Sequence, residues 1–347
     1  MRAARLTGWR APLELVNLPD PECPVDGVIL RVLACGVCRS DWHAWTGNDP
    51  DITLPHIPGH EYCGEVIAVG QGATRWRVGD RVIAPFILAC GVCPDCRAGH
   101  QTICATQVIP GFNAPGAFAE MIPVPRADIN LTRLPEMMDP ALAAGLGCRV
   151  TTAWHALTGR AALRAGEWLA VWGCGGVGLS AMLLGRALGA RVVVVDVVED
   201  KLEHAQSLGA DAAVNAATGD ALAQVRAVTG GGADLAIEAL GTSITTRNAL
   251  LSLRKLGRMV QVGMPAGKHT EMALPMDAVY SGQLAIYGTR GMPAHRYPSL
   301  ISLIEGGHVD LSPLITRRIS LSEASAELAA FDAPAPPGVA VITDFTA

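Results

Sequence analysis

The sequence predicts an α/β protein in two parts: a β-rich, barrel-like unit and a doubly wound parallel sheet inserted into it. Three observations predict this. Over residues 28–124, short apolar runs are broken by Gly and Pro. From about residue 150, continuous apolar runs alternate with helical stretches. After Gly288 the pattern loosens again until a closing apolar run at 339–342. The chain has 347 residues, half hydrophobic and 17% charged, enough for two cores, because single cores stop growing near ~250 residues. Residues 1–150 and 289–347 are expected to form the β-rich domain, and residues 151–288 the doubly wound one.

The elements follow in order. Apolar runs at 28–32, 64–69 and 81–84 read as strands, with Val78-Gly79-Asp80 as a turn between the last two. The run 168–172 reads as a buried strand and 177–188 as an apolar helix. A second strand and helix follow at 191–195 and 201–208. Strands at 233–238 and 258–262 flank a helix near 245–253, and the stretch 284–287 reads as a pairing edge. Residues 168–185 carry no charge and are long enough to imitate a membrane span, but their five glycines suit a strand, turn and helix in succession.

Charge excludes some functions. A net charge of −5 leaves no basic footprint for nucleic acid or an anionic membrane, so a small-molecule role is expected. No targeting signal is visible, and a cytoplasmic location is expected. Ten cysteines in such a chain are read first as metal ligands rather than disulfides. Cys23, Cys35, Cys63 and Cys174 are left as reduced core or turn residues.

Gly173-Cys174-Gly175-Gly176-Val177-Gly178 fits G-x-G-x-x-G between an apolar strand and an apolar helix. Gly173 permits the tight turn, Gly175 lets the backbone approach a pyrophosphate, and Gly178 lets helix and strand pack closely. Asp196, at the end of the next strand, is placed to bind a ribose hydroxyl and to repel a 2′-phosphate, which favours NAD over NADP.

Cys90, Cys93, Cys96 and Cys104 form C-x2-C-x2-C-x7-C within a lobe at about 88–106. Four thiolates in one short loop suit a closed, structural zinc, with an iron–sulfur cluster as the rival. A second set, Cys38, His60, Glu61 and Cys148, is scattered along the chain. Two thiolates and an imidazole leave a fourth position open, as a catalytic zinc requires.

These residues resemble the zinc-containing alcohol dehydrogenases of the medium-chain dehydrogenase/reductase family. The likeness rests on Cys38-Arg39-Ser40-Asp41, on Gly59-His60-Glu61 with Gly64 and Gly70, on the four-cysteine lobe, on Cys148, and on the glycine loop with Asp196. It implies a GroES-like catalytic domain and a Rossmann cofactor domain, two zinc ions and NAD, and reversible hydride transfer between an alcohol and its aldehyde or ketone. Cys38, His60 and Cys148 are implied as catalytic zinc ligands, with Glu61 an occasional replacement and Asp41 orienting His60. Ser40 and His43 are implied as a proton relay. Arg39 is implied at the pyrophosphate, Lys201 at the adenosine ribose, Thr152 and Val177 at the nicotinamide, and Gly176, Val262 and Met264 as further cofactor contacts. Trp45 and Phe86 fall where family members place substrate-pocket walls.

One departure stands out: many members carry a pyrophosphate-gripping arginine where this chain has Val339. The alternatives are a polyol or threonine-type zinc dehydrogenase, which needs a polar pocket, and a non-catalytic NAD-binding protein. The family resemblance also implies a homodimer or homotetramer.

Overall fold

The computed structural model describes residues 1–333 and 337–347. A ribbon of β1 (Arg2–Arg5) and β2 (Glu14–Asn17), too short to be read from the sequence, precedes the first long strand. That strand, β3 (Val28–Gly36), runs beyond its expected end. Arg31 interrupts the apolar run but faces solvent and pairs with Glu65 across the strands at 2.8 Å, while Val32 and Cys35 enter one core and Ala34 the other. It is followed by β4 (Glu61–Val69), β5 (Arg81–Ile83), β6 (Met121–Val124) and the two-residue β7 (Thr132–Arg133).

The inserted sheet begins with β8 (Trp168–Trp172) and continues with β9 (Arg191–Asp196), β10 (Ala212–Asn215), β11 (Ala233–Glu238), β12 (Leu253–Gln261) and β13 (Ala285–Gly288). Leu169 and Val171 enter one core, Ala170 and Trp172 the other. Both faces are therefore covered, which is why these strands read as unbroken apolar runs. Each Val or Leu so buried contributes about 1.5–3 kcal/mol against the entropy of ordering the chain.

The chain then returns to the first sheet through β14 (Ile315–Ser320) and β15 (Val339–Asp344), with Val341 opposite Gly36. The first sheet runs β14-β15-β3-β4-β5-β7, with β6 on β3. The second is wholly parallel in the order β10-β9-β8-β11-β12-β13. Strand order reverses between β8 and β11, where doubly wound sheets bind their ligands. The architecture is a β-rich unit joined to a doubly wound, Rossmann-like parallel sheet.

Helices Pro140–Gly145 and Arg149–Trp154, the latter running on as the π-helix His155–Arg160, lie between the sheets. They make one continuous core, from Ala34 and Ile83 through Leu146 and Leu157 to Leu169. The charge-free stretch at 168–185 is β8, a turn and part of the helix Gly176–Ala187. No helix among the described residues is long and apolar enough to cross a membrane. All ten cysteines are free thiols; Cys35, Cys63 and Cys174 are buried and Cys23 half-buried.

Candidate metal centres and cofactor cleft

Cys38 caps the helix Arg39–Trp45, His60 precedes β4, Glu61 opens it, and Cys148 caps the helix Arg149–Trp154. One ligand atom from each lies within 4.8 Å of the others, and all four residues are buried. The local chemistry suits a cation. Asp41 accepts the Cys38 and Gly59 N–H groups at 2.9 and 3.1 Å and lies 2.9 Å from His60 Nδ1. That contact fixes Nδ1 as the donor and leaves the Nε2 lone pair for a metal. Nε2 is buried without a hydrogen-bond partner. A hydrogen bond from Cys148 and the nearby Arg149 charge hold the Cys38 thiol well below its ordinary range, while the same pairing pushes Cys148 up.

Glu61 is committed elsewhere. Arg149 Nε donates to Oε1 at 2.9 Å, and its Nη2 sits 2.6 Å from Oε2 as an ion pair without hydrogen-bond alignment. Burial pushes the Glu61 carboxyl up to about 7 against the pull of Arg149. Replacing a ligand with Glu61 requires breaking this pair.

The second set, Cys90, Cys93, Cys96 and Cys104, likewise converges within 4.8 Å. Backbone N–H groups of Val92 and Cys93 donate to Cys90 Sγ, holding its thiol at about 6, and the Cys90 N–H donates to Cys104 Sγ at 3.2 Å. Four sulfurs around one point, those of Cys90 and Cys104 accepting backbone N–H groups, with almost no apolar core beneath, fit a closed structural site.

Two cavities meet at Val177 and Met264. One, of about 490 Å³, is lined by Arg39, Gly175, Gly176, Asp196 and Lys201. The three motif glycines differ in their reasons. Gly173 has φ +105°, a Cβ on Gly178 would meet the Gly173 carbonyl at 1.8 Å, and a Cβ on Gly175 would meet nothing within 4 Å. The open space at Gly175, at the start of the helix Gly176–Ala187, fits a phosphate cradle. Asp196 accepts the N–H groups of Cys174, Val197 and Val198 at 2.7–3.1 Å, which ties its strand to the glycine turn. Val339 is buried and lines this cavity, whose guanidinium groups come from Arg39, Arg149 and Arg317.

The other cavity, of about 1050 Å³, contains Cys38, His60 and Cys148 together with Ser40, His43, Thr152, Val177, Val262 and Met264. Burial and the Arg39 charge hold His43 below the ordinary histidine range. Phe86 and Phe112 set their rings edge-on to His60, with centroids 5.7 and 5.1 Å away. Trp45 does not line either cavity. It is 5% exposed in the core of the first sheet, its Nε1 donating to the Ala11 carbonyl at 2.7 Å, because its helix turns that face away from the cleft.

The sequence reading missed Phe112, Arg149 and Glu238. Glu238, buried at the end of β11, accepts the N–H groups of Leu240 and Gly241 and so shapes the turn that lines both cavities. Arg149 did leave a signal: it is a lone charge in the otherwise apolar stretch 140–150.

Two family models match the chain: an alcohol dehydrogenase GroES-like domain over residues 25–136 and a zinc-binding dehydrogenase domain over residues 176–306. The chain is 35% identical over 296 residues to an alcohol dehydrogenase of Geobacillus stearothermophilus, covering 84% of this chain and 85% of that one. It is also 35% identical to an L-threonine 3-dehydrogenase of Saccharopolyspora erythraea, covering 92% of each. An alcohol dehydrogenase from Thermus sp. ATN1 superposes with a TM-score of 0.89 at 31% identity, covering 99% of this chain and all of that one. The fold, the thiolate and imidazole clusters and these likenesses agree: the chain belongs to the zinc-containing alcohol dehydrogenases of the medium-chain dehydrogenase/reductase family.

Proposed function

We propose that the chain is a zinc-dependent, NAD-linked dehydrogenase that interconverts an alcohol with its aldehyde or ketone. One observation carries this: Cys38, His60 and Cys148 converge in a cavity that Val177 of the glycine loop also lines. These three residues would hold a zinc, which would supply the Lewis acidity that lowers a hydroxyl pKa and polarises a carbonyl, and a bound NAD would supply the hydride acceptor.

The chain's own residues do the rest. Asp41 keeps His60 in one tautomer. Ser40 Oγ takes the hydroxyl proton as it releases its own, and His43, held toward its neutral form by burial, accepts the released proton and passes it outward. Phe86, Phe112 and Val177 exclude water from the reacting carbons, and holding those carbons near contact supplies much of the rate. Asp196 selects NAD, the four-thiolate lobe holds a second, structural zinc, and Lys201 meets the adenosine ribose.

The test is an assay of NADH formation with a panel of alcohols, run in both directions with NAD and with NADP. Turnover of none by the zinc-loaded protein overturns the reading. A polyol or threonine-type substrate is the second reading. It gains from the burial of Trp45, which removes one of the two apolar walls expected of the pocket, and from the polar groups around the larger cavity. Strand β13 lies at an open sheet edge with Ile286 exposed, consistent with a dimer or tetramer paired there.

A further inference from the structure

The larger cavity is cationic in a chain that is acidic overall. The sequence has 27 Lys and Arg against 32 Asp and Glu. Yet among the described residues the cavity wall carries Arg39, Arg160, Arg290 and Arg296 against a single carboxylate, Asp49, which accepts the Asp51 N–H. Arg39 also lines the nucleotide cavity, and its Nη1 donates to the Phe331 carbonyl. The other three line only the larger cavity, and among the described residues none of them forms an ion pair. Their charge is therefore not explained by the cofactor's pyrophosphate or by internal pairing.

Geometry ties them to the reacting end. The Arg290 guanidinium sits 5.8 Å from the centre of the Phe86 ring, and that ring packs edge-on against His60. One aromatic ring thus separates a free guanidinium from a metal-ligand imidazole. Arg296 crosses Gly159, where a Cβ would come within 2.1 Å of its Nη1 and 2.2 Å of His155 Cδ2. A side chain at residue 159 would have to displace the Arg296 guanidinium and the His155 ring from that wall. Gly159 belongs to the π-helix His155–Arg160, a form that concentrates at functional sites. His155 and His295 are held below the ordinary histidine range, chiefly by burial and also by Arg296, so permanent charge rests on the arginines.

Arg160 and Arg290 are exposed and Arg296 half-buried, so the three ring the mouth of the cleft, where like charges focus a positive potential and the planar guanidinium matches a carboxylate in a two-point contact. We infer that the substrate of this site is a hydroxy acid, an alcohol whose carboxylate is held by Arg290 and Arg296 while its hydroxyl lies at Cys38, His60 and Cys148. This rests on the dehydrogenase reading above. In the reaction the C–H bond at the hydroxyl carbon breaks, its hydride passes to NAD, the hydroxyl proton leaves to solvent, and the carboxylate is unchanged.

The test compares matched pairs on the zinc-loaded enzyme with NAD: para-(hydroxymethyl)benzoate against benzyl alcohol, and gamma-hydroxybutyrate against butanol. Calorimetry of benzoate against benzamide binding to the enzyme–NADH complex gives a readout independent of turnover. The expected result is a kcat/KM about tenfold or more higher for the carboxylates, shrinking as salt rises, with benzoate binding correspondingly tighter. Arg290→Gln and Arg296→Gln each remove most of both preferences; both side chains reach the cavity rather than the core, so the variants should fold. Equal kcat/KM within each pair, or benzoate binding no tighter than benzamide, overturns the inference. If no alcohol is oxidised, the dehydrogenase reading fails. Tighter benzoate binding that is lost in Arg290→Gln would then still support the anion site, and its absence would overturn both.

Discussion

Arg149 Nη2 lies 2.6 Å from Glu61 Oε2, an ion pair in which both side chains are nearly inaccessible, and Arg149 Cδ sits 2.8 Å from where a Cβ on Gly176 would stand. One side chain therefore pairs with the metal-ligand cluster and runs beside the glycine loop. Its Nη2 also donates to the Val37 carbonyl at 2.8 Å. Arg149→Met leaves a buried carboxylate without its partner. The expected loss is about 3–5 kcal/mol of stability by denaturant unfolding, with a raised KM for NAD. Adding Glu61→Gln should recover part of that stability, and additive losses in the double variant would contradict the pairing.

Cys38→Ser should abolish turnover and remove one zinc per chain by elemental analysis, while NAD binding by calorimetry survives. Wild-type turnover in this variant would defeat the assigned role of the cluster.

The four-thiolate lobe has little apolar core of its own, so its ion holds it together. Cys96→Ser should remove the other zinc and lower the melting temperature, on the order of 10 °C. Lost activity in a fully stable protein would count against a structural lobe.

Asp196→Ala removes the carboxylate that lines the nucleotide cavity beside Lys201. The ratio of kcat/KM with NAD to that with NADP should fall about tenfold or more, because a 2′-phosphate no longer meets a negative charge. An unchanged ratio would remove the assignment.

Burial and the Arg39 charge both disfavour the His43 cation. Neutral imidazole, the form that accepts a proton, therefore persists to lower pH than for an ordinary histidine near about 6.5. The acid limb of the kcat/KM profile should lie below that value and move up in Arg39→Gln. A limb that stays put in Arg39→Gln and His43→Ala alike would show that His43 does not set it.

What was legible in the sequence had short reach. The runs at 168–172 and 233–238 match β8 and β11 residue for residue, because a strand buried on both faces leaves an unbroken apolar signature. Strand ends fared worse. The run at 258–262 belongs to a strand that begins at Leu253 and ends at Gln261, and Arg254 and Lys255 break the hydrophobic pattern because they lie in an exposed irregularity of the ladder between Leu253 and Arg258.

By itself the sequence determined the four-cysteine lobe and the glycine turn, since residues within a few positions of one another cannot lie far apart and their spacing already encodes geometry. Tertiary structure alone decided that residues 38, 60 and 148 share one centre, that Arg149 claims Glu61, that Trp45 sits in the core, and that three arginines without carboxylate partners among the described residues face the larger cavity. Those relationships span tens to hundreds of positions. They depend on which helix face turns toward the cleft, a choice made by packing the two sheets against the helices between them rather than by local residue spacing.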